Sequence, residues 1–261
     1  MKGIFVSVAL GFGSVLCFAQ APTATSAASK LINLDTPTIP AQNTAWARAD
    51  VRVLGSNEKT TYGSLEVGAG LGSGLGLIVR GSAGKFSDFV QPTFTIRHGG
   101  SDIEAMLKYS SPMLSGLALA GGVSLPNTPA QNNAFFTGEA LYQLPVTGAD
   151  IYLGAKGVFR QDSTIVGLAA GFSVHAGPGL DLIGDFTGIV TGNNTYSTST
   201  GALQRRPVYG LGLRFNTFVV PKQTITVEGG ITNGIGGTTG FSLTPGLGNS
   251  VGAYLSASVR F

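Results

Sequence analysis

Apolar and polar residues alternate along most of this chain with a period of two, the mark of a strand with one greasy and one wet face. The last stretch, Ser250–Phe261, keeps the alternation without a break. Val251, Ala253, Leu255, Ala257, Val259 and Phe261 fall on one side, and Ser250, Gly252, Tyr254, Ser256, Ser258 and Arg260 on the other. From Thr44 onward the same pattern recurs in segments of roughly ten residues, the length of a strand that crosses a bilayer. Ala45–Leu54 opposes Ala47, Ala49, Val51 and Val53 to Trp46, Arg48, Asp50 and Arg52. Gly63–Leu71 follows, with Glu66 on its wet face, then a turn at Gly72-Ser73-Gly74 and a segment with Leu75, Leu77 and Val79 opposite Arg80 and Ser82. Phe89–His98 carries Arg97, and a segment over Ile103–Tyr109 carries Glu104 and Lys108, with Asp102 just before it. Leu117–Leu125, Phe135–Leu144 with Glu139, and Asp150–Arg160 with Lys156 and Arg160 come next. Thr164–Ala176, Leu180–Val190 with Asp181 and Asp185, Val208–Phe218 with Arg214, Thr224–Thr232 with Glu228, and Ser250–Phe261 complete the series.

Prolines, which cannot donate to a ladder, mark strand edges. Pro112, Pro126, Pro129, Pro145, Pro178, Pro207, Pro221 and Pro245 all fall between segments, and only Pro92 lies inside one. No segment shows a helical period. Long connections (Val190–Pro207, Thr232–Ser250) alternate with short ones (Ala176–Gly179, Val219–Lys222), as outer-membrane barrels place long loops outside and short turns in the periplasm. The expected fold is therefore all-β, a transmembrane antiparallel up-and-down β-barrel over 44–261. Thirteen segments conflict with the even strand number of single-chain bacterial barrels. Either Leu31–Pro40 adds a fourteenth, or one segment between Tyr62 and His98 is not a strand and the number is twelve.

The final strand ending on Phe261, with Val259 two places before it, resembles the assembly signal of bacterial outer-membrane β-barrels, although Ser256 stands where that signal usually has glycine. The resemblance implies that the barrel-assembly machinery reads this strand. The run L-I-N-L-D-T-P-T just before the first strand resembles the start of several barrels, including the exopolysaccharide-associated kind.

Composition agrees with a bilayer. Only 11% of the 261 residues are charged, 40 are glycine, and mean hydropathy is +0.28, whereas about a quarter of a soluble domain is charged. The apolar residues are dispersed rather than gathered in a run long enough for a transmembrane helix. At the start, Lys2 followed by the apolar Ile4–Phe18 reads as a signal peptide over 1–19, cut after Ala19. Cys17 is the only cysteine, and Leu16 stands where a lipoprotein signal needs a small residue. Residues 20–43 read as a periplasmic linker followed by a rim segment limited by Pro37 and Pro40. The basic residues are scattered, without the cluster a nucleic-acid partner needs.

Collecting the wet faces gives a candidate pore lining of Arg48, Asp50, Arg52, Glu66, Arg80, Arg97, Glu104, Lys108, Glu139, Lys156, Arg160, Asp181, Asp185, Arg214, Glu228 and Arg260, with Asp102 beside them. On the lipid face a mid-bilayer Arg or Lys would cost about 2–4 kcal/mol, so this segregation argues for the bilayer. It supports two readings: a water-filled lumen with at most a slight anion preference, or an interior of interlocked salt bridges. Tyr109, Tyr142, Phe159, Tyr209, Phe215, Phe218 and Phe261, near segment ends, suit interfacial girdles.

Catalytic motifs are poor: His98 and His175 stand in no recognised spacing, and Asp181 and Asp185, four apart, suit ion pairing better than a cation site. Gly68–Gly76 imitates a dinucleotide loop but no helix follows it. The expectation is a passive outer-membrane channel for small polar solutes without cofactor, metal, catalytic activity or plug domain, alone or as a homo-oligomer. The alternative is a non-conducting structural or export-associated barrel, for example in surface-polysaccharide assembly.

Overall fold

The computed structural model describes residues 29–55, 59–84, 100–111, 113–127, 133–160, 163–197, 199–220 and 223–261. The leader and most of the linker lie outside these residues, as do Phe89–His98, Arg97, Pro92 and His98. The strands are β1 (Ala45–Leu54), β2 (Thr60–Gly72), β3 (Leu75–Gly84), β4 (Gly100–Ser110), β5 (Leu117–Asn127), β6 (Phe135–Val146) and β7 (Ala149–Phe159). They continue as β8 (Thr164–Gly177), β9 (Leu180–Thr191), the short pair β10 (Thr195–Tyr196) and β11 (Leu203–Gln204), β12 (Val208–Val220), β13 (Gln223–Thr232) and β14 (Gly252–Arg260).

All but β10 and β11 form one closed antiparallel barrel, each strand beside its sequence neighbour and β1 beside β14. Twelve strands is the lower of the two numbers the sequence allowed. The seam runs in register from Trp46 opposite Arg260 to Leu54 opposite Gly252. Phe261 extends it, exchanging backbone hydrogen bonds with Ala45 at 2.9 and 3.0 Å. Closure leaves no open sheet edge, the condition for backbone to cross hydrocarbon as strands. Among the described residues no helix is long and apolar enough to cross a membrane.

The barrel is apolar outside and charged inside. Leu65, Ile103, Leu119, Leu153, Leu168, Leu213 and Leu255 each expose half or more of their surface, while Arg52, Arg80, Arg214, Lys108 and Lys156 are fully buried. Exposed Tyr109, Tyr142, Phe215 and Phe261 stand towards the end with short turns, and Phe136 and Phe159, cross-strand partners, towards the other. Tyr209 is half-buried at that second end, and the Phe218 side chain lies outside the described set. Both chain ends of the barrel and the tight turns Ser73–Gly74 and Thr147–Gly148 share one rim. The connections at the opposite, outer rim include 192–207 and 233–251, which the sequence assigns to the outside.

Two segments fill the interior. Residues 29–36 lie inside the lumen rather than at its rim, with Leu31, Ile32 and Leu34 wholly buried. There they form a tight hairpin: Leu31 N–H donates to Leu34 O (2.7 Å), Thr36 N–H to Ser29 O (3.0 Å), and Lys30 bridges Asp35. Pro37 and Pro40 follow, so this stretch adds no barrel strand. The second segment is the β13–β14 connection. It starts at the outer rim but folds inward, burying Ile235, Thr238, Thr239, Phe241, Leu243 and Thr244 around one helical turn, Thr239–Ser242.

Candidate functional site: the filled lumen

Wall cations converge on the hairpin backbone. Arg214 Nη2 donates to Lys30 O (2.6 Å), Arg52 Nη2 to Ile32 O (2.9 Å) and Lys156 Nζ to Asn33 O (2.5 Å). Arg48 Nη2 reaches Leu31 O at 3.3 Å, and Lys108 Nζ donates to Thr36 O. These five residues stand on the wet faces of four different strands, β1, β4, β7 and β12, so the wall grips the hairpin from several sides. A tight turn leaves carbonyls without ladder partners, and a buried carbonyl needs a donor; here each donor is a full charge.

Asp185 holds the opposite polarity of the turn. Its Oδ2 accepts the backbone N–H groups of Ile32 (2.9 Å), Asn33 (2.5 Å) and Leu34 (3.1 Å), and its Oδ1 accepts Asn33 Nδ2 (2.8 Å). Successive N–H groups aimed at one anion form the concave nest that backbone uses to bind negative charge. The hairpin's apolar side chains pack against Leu141, Tyr152, Ala169, Ile183 and Tyr254. Glycines make the room: a Cβ on Gly210 would lie 2.8 Å from Ile32 Cγ2, and one on Gly171 2.4 Å from Leu31 Cδ1.

Ion pairs knit the wall beneath these contacts. Glu228 bridges Arg48 (2.8 Å) and Arg214 (2.7 Å), and Asp50 pairs with Arg52 (2.7 Å). Arg80 is the hub of a second cluster, with Glu104 at 2.5 Å, Asp35 of the hairpin at 2.6 Å, Glu139 at 3.2 Å and Glu66 at 3.8 Å. Burial works against the charge on Asp35, but Arg80 and then Lys30 hold its carboxyl well below the usual carboxylate range.

The outer insert is seated the same way. Thr238 Oγ1 donates to Asp102 (2.9 Å), Thr239 N–H to Glu104 (2.9 Å), and Lys156 Nζ to Ser242 Oγ (2.9 Å). The two inserts meet directly where Lys30 Nζ donates to Gly237 O at 2.6 Å, and Arg52 Nη1 spans both, reaching Asn33 Oδ1 (2.7 Å) and Gly234 O (2.9 Å).

Of the pore-lining residues read from sequence, Arg48, Asp50, Arg52, Glu66, Arg80, Glu104, Lys108, Glu139, Lys156, Asp181, Asp185, Arg214 and Glu228 all face inward and are buried, as is Asp102. They line a filled lumen, not an open one. Arg160 and Arg260 are half-buried towards the two ends, with Arg160 stacked on Phe135 at 4.2 Å. Asp181 and Asp185 do not act together: Asp181 bonds His175 Nδ1 (2.7 Å) and Asn216 (3.2 Å), while Asp185 holds the hairpin. Gly68–Gly76 is the β2–β3 hairpin, where a Cβ on Gly68 would strike the Trp46 ring at 2.1 Å. Sequence reasoning missed Lys30, Asn33 and Asp35 of the hairpin and Thr238, Thr239 and Ser242 of the insert. Among the described residues no group of three or more His, Cys, Asp or Glu is placed to hold a metal ion.

No protein-family profile and no curated protein matches the chain. Solved structures with a similar course include an outer membrane channel from Pseudomonas putida F1, at 14% identity and TM-score 0.49 over 92% of this chain and 99% of that one. LpxR from Salmonella typhimurium is similar at 9% identity and TM-score 0.46 over 83% and 99%, and OmpT of Vibrio cholerae at 11% and 0.38 over 84% and 96%. The closed twelve-stranded wall, its lipid-facing apolar belt and its charged interior make this chain an integral β-barrel of the outer membrane.

Proposed function

We propose that the protein is an outer-membrane channel for small polar solutes, shut in this state by its own N-terminal hairpin and outer insert. The observation that carries the reading is the chemistry of the wall. Among the described residues seventeen Asp, Glu, Lys and Arg side chains are buried in the lumen, all but Lys30 and Asp35 on the wall, and burying charges adds little or nothing to stability when apolar residues of similar volume could fill the same space. A barrel serving only as scaffold gains nothing from such an interior. A passage that must hold water when open needs one. The hairpin is joined to the wall through 37–44, and its hydrogen bonds are of a kind that water can replace. On this reading His175 is a wall residue tied to Asp181 and not a catalytic base, and the strand ending at Val259 and Phe261 is what the assembly machinery reads.

The test is planar-bilayer recording on full-length protein and on Gly210→Val, whose added methyls collide with Ile32 in a strand position that valine tolerates. Brief openings in the native protein and longer ones in the variant are expected. A second reading, a non-conducting barrel serving surface-polysaccharide assembly, draws on the burial of both segments inside the lumen. Silence from both proteins over a range of voltage and salt would select it.

A further inference from the structure

The sign of the lumen charge differs from that of the chain. The sequence carries sixteen Lys and Arg against thirteen Asp and Glu, yet among the described residues the buried interior holds ten acidic groups and seven basic ones. The hairpin supplies one of each, Asp35 and Lys30, so the wall alone has nine against six whether the hairpin is present or withdrawn. The excess base sits elsewhere, for example on exposed Lys59, Arg205 and Arg206 at the outer end. With His175 counted as neutral, the buried stretch is net negative by three charges among the described residues, and by one when half-buried Arg160 and Arg260 at its two ends are included.

The arrangement of partners sharpens the imbalance. The wall arginines keep wall carboxylates when the hairpin leaves: Arg48 and Arg214 have Glu228, Arg52 has Asp50, and Arg80 has Glu104 and Glu139. Four other acids take their hydrogen bonds from donors other than Lys or Arg. Asp102 takes the hydroxyls of Ser124 and Thr238, Asp150 takes Gln143 Nε2, Asp181 takes His175 and Asn216, and Asp185 takes the hairpin amides. Withdrawal of the hairpin uncovers Asp185, along with the ammonium groups of Lys108 and Lys156 that its carbonyls had occupied.

We propose that the open lumen selects cations, admitting small cationic and neutral polar solutes over anions. A low-dielectric wall focuses the field of its net charge on the passage, and carboxylates set along a pore favour cations in the same way. This reverses the slight anion preference that the overall basic count suggests. It rests on the channel reading above, and the experiment separates the two. Reversal potentials are measured across a KCl gradient for full-length Gly210→Val, alone and combined with Asp102→Asn or with Lys156→Met. The expected potassium-to-chloride permeability ratio is severalfold above one, lower with Asp102→Asn and higher with Lys156→Met. Because the two substitutions must move the ratio in opposite directions, misfolding of one leaves the other decisive. A conducting protein with a ratio at or below one, or a ratio that neither substitution moves, overturns the inference while the channel stands. Absence of any conductance overturns both.

Discussion

Asp185 holds Asn33 twice, through the backbone N–H at 2.5 Å and the side-chain Nδ2 at 2.8 Å, across 152 positions of sequence. One carboxylate thereby fixes the turn of the lumen hairpin, because the same Oδ2 also takes the amides of Ile32 and Leu34. Replacing Asp185 with Asn removes the charge from these bonds at a cost of about 1–3 kcal/mol. Hydrogen exchange at the amides of residues 32–34 is expected to accelerate by about one to two orders of magnitude, while amides of the β1–β14 seam keep their protection. Equal acceleration at both places would mean that Asp185 supports the barrel and not the hairpin.

Glu228 serves two arginines, Arg48 and Arg214, and all three are almost wholly buried. Glu228→Gln leaves two guanidinium groups without their shared charge. Breaking a buried pair in this way costs about 3–5 kcal/mol. The folded form is expected to lose its resistance to urea in lipid vesicles, and Glu228→Gln combined with Arg214→Met to recover part of it.

The two faces of β14 make opposite demands. Leu255 is 62% exposed and Ser256 is buried. An arginine at Leu255 faces hydrocarbon and is expected to cost about 2–4 kcal/mol if it lies near the midplane. Unfolding titrations in vesicles give the number, and a value near zero would remove residue 255 from the lipid face.

Asp35 provides a pH test with a definite sign. Its carboxyl, held below the ordinary range by Arg80 and Lys30 despite burial, stabilises the docked hairpin fully above the ordinary aspartate value of about 3.9. That contribution is lost only as the pH falls below this value, towards the docked one. The difference in hairpin exchange between native protein and Asp35→Asn is therefore expected to stay constant from neutral pH down to about 5 and to vanish in stronger acid. A difference that fades already near neutrality would mean that Asp35 is not charged when docked.

Much of the wall could be read from the alternation alone. Each strand's inner and outer residues follow from a period that a one-residue slip would invert, and burial of Arg48, Asp50 and Arg52 against exposed Val51 and Val53 shows the expected register. The strand number was ambiguous because Tyr62–His98 mixes glycine-rich and proline-containing sequence. The contents of the lumen were not legible. The stretch from Leu31 read as a short rim segment because partners such as Asp185 and Arg214 are remote in sequence. One signal was available in the glycines of inward-facing wall positions: Gly171 and Gly210 stand where the alternation calls for a side chain, and their emptiness is the imprint of Leu31 and Ile32. The inward course of the outer insert left a fainter trace: G-I-G-G-T-T-G-F-S has the composition of an ordinary surface loop, and one inward glycine, Gly167, stands where a Cβ would lie 2.8 Å from Leu243 Cδ2.

The seam between the first and last strands also orders events during biogenesis. The hairpin leaves the ribosome before any strand, yet its grips come from β1, β4, β7, β9 and β12, the last of them 184 positions further along. Contacts this remote form late, because the chain between them must first be gathered. Until that gathering is done the hairpin has only Arg48 and Arg52 of β1, 17 and 20 positions away, to hold. The newborn cylinder therefore closes around an occupant that arrived first and is secured last.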